Sequence, residues 1–136
     1  MTADQFLKAL KDEGLKVEQL DGWRTHNRNH KGAWGPVNGV VIHHTAGRNS
    51  LRFVSTGNAA LPGPLCHTHL AKSGVATMVG HGRANHAGMF AKNAFDAMVA
   101  EKSVHPRPTA SETVDANSRT YGLEIENLGD GKDFYP

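Results

Sequence analysis

Two short stretches carry side chains suited to chemistry. His43 and His44 close an apolar run, GVVIHHT, at residues 39–45. Alternation along a strand sends the two rings to opposite faces, so only one can serve a given site. A histidine at the end of a buried strand, facing a cleft, is placed to offer a ring nitrogen to a metal. The plainer reading has one ring capping the sheet edge and the other in water. Glu124 and Glu126 share one face of YGLEIE, residues 121–126, about 7 Å apart along an extended chain. A carboxylate against an apolar strand has its pKa raised, which suits a general base. A solvated outer face of a half-exposed strand is the alternative. A glycosidase acid and nucleophile is a further reading, but neighbours on one strand rarely flank a scissile bond from opposite sides.

Further histidines lie between these stretches. His67 and His69 share one face of CHTHL (66–70), with Cys66, Thr68 and Leu70 on the other. GRANHAG (82–88) sets Asn85 and His86 among small residues, which let a ligand approach the backbone closely. Taken singly, such histidines are more often hydrogen-bonded structural residues. The sequence has no HExxH, CxxC, phosphate-binding glycine loop or GxSxG, and no local signature marks Cys66 as a nucleophile.

The elements that position these groups follow from pattern. Thr2 and Gln5 form a capping box, and Phe6, Leu7 and Leu10 repeat at helical spacing up to Gly14, predicting a helix over 3–13. Residues 22–37 read as an irregular connection carrying Trp23 and Trp34. GVVIHHT reads as a buried strand, 50–56 as a helical turn or two, and Pro62-Gly63-Pro64 as an interruption. Residues 66–72 and 75–79 form a hairpin about Ser73-Gly74. Residues 90–104 have helical spacing and stop at Pro106 and Pro108, 105–119 read as a polar loop, and 121–126 as a strand burying Leu123 and Ile125. Strands separated by helices imply a single α/β domain with a central mixed sheet flanked by helices.

Composition narrows the function classes. At 136 residues, 38% apolar and 21% charged, the chain suits one globular domain. A net charge of +2 without any basic run gives no nucleic-acid footprint. The single cysteine excludes an intrachain disulfide framework. No stretch reaches the roughly 18 apolar residues of a membrane span, so membrane insertion is not expected, and residues 1–10 lack the apolar core of an export signal.

VVIHHTAG (40–47), CHTHLAKSG (66–74), GRANHAG (82–88) and YGLEIEN (121–127) resemble, in order and spacing, the motifs of the amidase-2 family. That family includes phage endolysins, bacterial cell-wall recycling amidases and peptidoglycan recognition proteins. The chain is most similar to endolysins of actinobacteria-infecting phages, which the DGWRTHNRNHKG stretch (21–32) also resembles. Residues 1–20 would be a leading helix and connection, and 37–136 the core carrying the site.

The resemblance implies zinc-dependent hydrolysis of the amide bond between N-acetylmuramic acid and L-alanine in peptidoglycan. It makes His43 the first zinc ligand, Glu124 the catalytic carboxylate, and His67, Asn85 and His86 substrate-binding residues. It assigns no role to His44, His69 or Glu126. His67 or His86 would stabilise the oxyanion or orient the substrate. In the family a second histidine and an aspartate or cysteine complete the zinc site after the central strands, along with a C-terminal helix. Residues 127–136 hold no counterpart, so the expectation is the N-terminal part of an amidase domain, with a non-catalytic peptidoglycan-binding module as the alternative. An endolysin would collect in the host cytoplasm before lysis and then act on the cell wall.

Overall fold

The computed structural model describes residues 1–135. The first helix, α1 (Ala3–Asp12), begins at a complete capping box: the Thr2 hydroxyl accepts from Gln5 N, and the Gln5 side chain accepts from Thr2 N. A short strand, β1 (Val17–Gln19), follows; its three residues gave no alternating pattern to read. Then come β2 (Gly39–His44), α2 (Leu51–Thr56), β3 (Thr68–Leu70) and β4 (Ala76–Met78). The chain continues through β5 (Met89–Ala91), α3 (Lys92–Val99), β6 (Glu112–Asp115), a 3-10 turn (Ala116–Ser118) and β7 (Thr120–Ile125).

The main sheet is mixed, in the order β1-β4-β3-β7-β2, with β5 and β6 forming a separate antiparallel pair. β7 lies between two parallel neighbours, and its register sets Glu124 beside both His43 and His69. The helices cover opposite faces. On one, Leu7 of α1 packs with Trp23 and Met78; on the other, Val54 of α2 packs with Leu65, Cys66 and Val79. Met78 and Val79 are consecutive, so alternation sends them into these two separate clusters. Each fully buried large side chain there contributes about 1.5–3 kcal/mol of burial.

Three elements differ from the sequence expectation. GVVIHHT forms an edge strand rather than a buried one: β2 pairs only with β7, and Val40 and Ile42 are 64% and 67% exposed. The segment 90–104 begins as strand β5, because its first residues pair with β6, and its helix ends at Val99 before Glu101 takes φ 50°. The loop expected over 105–119 contains β6 and a 3-10 turn, which pack under the histidine-bearing loop described below. On β7, Leu123 and Ile125 are only half-buried.

Candidate active site

The site forms where the α2 face of the sheet meets the loop 82–88. A cavity of about 380 Å³ opens there, lined by Glu124 of β7, His44, Asn85, His86 and the apolar residues Phe53 and Leu61. Glu124 reaches it because even-numbered residues of β7 face this side. At the preceding even position, Gly122 is bare: a Cβ there would lie 2.6 Å from His86 Nδ1. The missing side chain is what lets the His86 ring rest on the strand.

The backbone at His86 is fixed by a segment that reads as featureless loop in sequence, and its ring by Thr120 at the start of β7. Asn117 Oδ1 accepts from both His86 N and Ala87 N, each at 2.9 Å. Asn117 is itself held by Asp115 Oδ1, which accepts from its backbone N–H, while Arg83 pairs with the Asp115 carboxylate. His86 Nε2 lies 3.3 Å from both Thr120 oxygens, and the Thr120 hydroxyl spends its proton on Ala116 O. His86 Nε2 must therefore carry the hydrogen, leaving Nδ1 as an acceptor. That acceptor takes the Nε2–H of His43 at 3.3 Å. Burial, then the neighbouring His43, lowers the His86 pKa to about 4. Burial, then His44, lowers that of His43. Both rings are thus neutral at pH 7, the state able to bind a metal or hold a directed hydrogen bond.

Glu124 is the chemically distinctive group. Burial raises its carboxyl pKa, partly offset by His44, and its Oε2 is buried with no hydrogen-bond partner. Lone, partly desolvated and in a cleft, it has the properties of a general base. Cys66 beneath it is fully buried, and burial pushes its thiol pKa up, so it is no nucleophile.

The residues singled out from sequence divide. Glu124, Asn85 and His86 meet in one cavity, with His43 joined to them through His86. His67 is a correction. Its ring is 0% exposed, its Nδ1 accepts from Gly122 N at 2.8 Å, and its Nε2–H donates to Gly82 O at 2.7 Å. With both nitrogens taken, it supports the floor under His86 rather than touching a substrate. Burial, followed by the charge on His86, brings its pKa down to about 3. Asn85 donates from Nδ2 to Pro62 O at 3.2 Å, so part of its role is to hold the cleft rim. Sequence reasoning left His44, Phe53, Leu61, Asn117 and Thr120 without a role. Only a contact across the fold reveals them.

Glu126 parts company with Glu124. It lines a different, larger cavity of about 650 Å³ on the far side of α2, where His69 Nε2 lies 3.6 Å from its carboxylate and 2.9 Å from Ser50 Oγ. The two glutamates do not face one bond, which argues against the glycosidase pair. The fit of a zinc ion is partial. Among the described residues, no three His, Cys, Asp or Glu side chains converge as a metal site. Two imidazole nitrogens do meet, and their 3.3 Å separation matches the edge of a zinc tetrahedron with bonds of about 2.0–2.1 Å.

No helix among the described residues is long and apolar enough to cross a membrane. Neither curated proteins nor solved structures yielded a match to the chain. The family model described as N-acetylmuramoyl-L-alanine amidase matches residues 33–136; that span holds β2 through β7 with the whole cleft, and the chain belongs to this amidase family.

Proposed function

We propose that this cleft hydrolyses the amide joining N-acetylmuramic acid to the L-alanine of the peptidoglycan stem, with Glu124 as general base. The observation carrying this reading is the buried, unpartnered Glu124 Oε2 in the cavity beside His86. Glu124 takes a proton from water, the water oxygen bonds to the carbonyl carbon, the C–N bond breaks, and the alanine nitrogen leaves with the proton. His86 shapes the wall of the cleft: its Nε2–H is directed at Thr120 and its Nδ1 accepts from His43, so it has no N–H to give an oxyanion.

Zinc dependence is part of the proposal: His43 Nε2 is the nitrogen that would hold the ion. The metal would supply a water of lowered pKa and a polarised carbonyl. The biological setting we propose is a phage endolysin, made in the host cytoplasm and acting on the wall at lysis; the resemblance of the DGWRTHNRNHKG stretch (21–32) to that group supports it.

A second reading, a peptidoglycan-binding module that does not cut, draws on the absence of a three-donor metal group among the described residues. Products from purified cell wall separate the readings. The amidase releases L-alanyl amino groups, a glycosidase releases reducing sugar ends, and a binding module sediments with the wall and releases neither.

A further inference from the structure

The cleft lining mixes polar groups, Glu124 and Asn85 among them, with the apolar side chains of Phe53 and Leu61, which are backed by buried Val54 and Leu65. Phe53 and Leu61 stay 45% and 43% exposed, although the fold invests many contacts in placing them. Asn58 Oδ1 accepts from Ala60 N and Leu61 N at 3.0 and 2.8 Å, and Asn58 N donates to Leu61 O at 2.9 Å. Arg28 Nη1 and Asn85 Nδ2 both donate to Pro62 O, at 3.1 and 3.2 Å. A bridge from Gly57 to Pro62 closes the loop, and at Gly57 a Cβ would lie 2.0 Å from Leu61 O. Leu61, exposed on a loop tied at so many points, and Phe53, carried by helix α2, form a preorganised surface.

We infer that Phe53 and Leu61 are the platform on which the sugar ring of the substrate lies, holding the acyl side of the scissile amide against Glu124. This rests on the amidase reading. On either side of that bond the substrate offers a pyranose ring or a stem peptide. The peptide brings charged carboxylates and amines, whereas Phe53 and Leu61 offer only aromatic and aliphatic surface. A pyranose is amphipathic in the matching sense, with a face of C–H groups and a rim of hydroxyl and acetamido groups. Its C–H face suits the electron-rich face of the Phe53 ring, and its rim suits the Asn85 amide at the edge of the same cavity. An alanine methyl would need no surface of that width.

The test is binding, measured by calorimetry on the Glu124→Gln chain so that turnover plays no part. The probes are an N-acetylmuramoyl dipeptide and the same dipeptide without its sugar. With Phe53→Ala, the sugar-bearing probe should bind roughly tenfold more weakly, about the worth of one aromatic contact. Phe53→Trp should restore most of the affinity. Leu61→Ala should weaken the same probe by a smaller factor. The bare dipeptide should bind weakly and respond to none of these changes. Equal weakening of both probes, or no response to Phe53→Ala, overturns the platform while leaving the amidase reading intact. If the Glu124→Gln chain binds neither probe, both are overturned. Sugar-dependent binding that needs Phe53, in a chain that releases no amine from cell wall, upholds the platform and overturns hydrolysis alone.

Discussion

His43 Nε2 lies 3.3 Å from His86 Nδ1, and the direction of that hydrogen bond is settled by Thr120, whose oxygens take the Nε2–H of His86. The proton between the rings thus sits on His43, at the nitrogen proposed to hold zinc. Zinc there requires His43 to move its proton to Nδ1, and His86 then loses its donor. His43→Ala should abolish zinc retention after dialysis, and His86→Ala, which removes the second of the two converging nitrogens, should weaken it. In the unsubstituted chain, zinc should shift the ring nitrogen resonances of His86 as well as those of His43. A zinc-induced shift confined to other residues would contradict this.

The backbone under His86 is sensitive to a single methyl. Gly122→Ala sets a Cβ 2.6 Å from His86 Nδ1, closer than any real contact, so the ring must leave its place. Amide hydrolysis should fall by about 100-fold, the order lost when a catalytic geometry slips by about 1 Å. Asn117→Ala should act from below. It leaves two part-buried backbone N–H groups without their acceptor and should cost about 1 kcal/mol or more, read as a lower urea midpoint.

Acid should destabilise the fold through His67. Its folded pKa of about 3 lies below the ordinary 6.5, so the unfolded chain binds the proton first as pH falls. Stability is fully present above about pH 6.5 and is lost progressively from there towards about pH 3. The slope can reach about 1.4 kcal/mol per pH unit. Denaturation midpoints measured between pH 7 and pH 4 check this, and midpoints that do not change would contradict the buried neutral ring.

The acid limb of kcat/KM reports Glu124. Burial raises its pKa above the ordinary 4.5, and only the ionised form accepts a proton. Activity should therefore fall as pH drops through a value above 4.5, rather than persisting down to the usual carboxylate range. Replacing His44, whose charge lowers the Glu124 pKa, by alanine should move that limb to higher pH.

Much of this site was legible in sequence because its groups sit on elements with strong local signals. The alternation of YGLEIE puts Glu124 and Glu126 on one face, and the family resemblance singles out Glu124; α1 follows from the capping box at Thr2 and Gln5, and the β3–β4 hairpin from Ser73-Gly74. What failed was decided by pairing across the chain. GVVIHHT has a buried composition yet forms an edge, because sheet order is a property of all five strands. His67 looks like a cleft residue until Gly82 and Gly122, distant in sequence, take both its nitrogens. Asn117 is one polar residue in a polar stretch, and its importance lies entirely in the two amides it meets. Glu124 and Glu126 share a strand, but α2 divides the space above it into two cavities.

The most direct test of the central claim is the rate at which the purified chain, supplied with zinc, releases L-alanyl amino groups from peptidoglycan, compared with its Glu124→Gln variant. The unsubstituted chain should release them without new reducing ends. The variant should lose at least about 100-fold in rate while still folding and still binding the wall. Equal rates in the two proteins would contradict the role assigned to Glu124, and wall binding with no release by either would leave a recognition module in place of an enzyme.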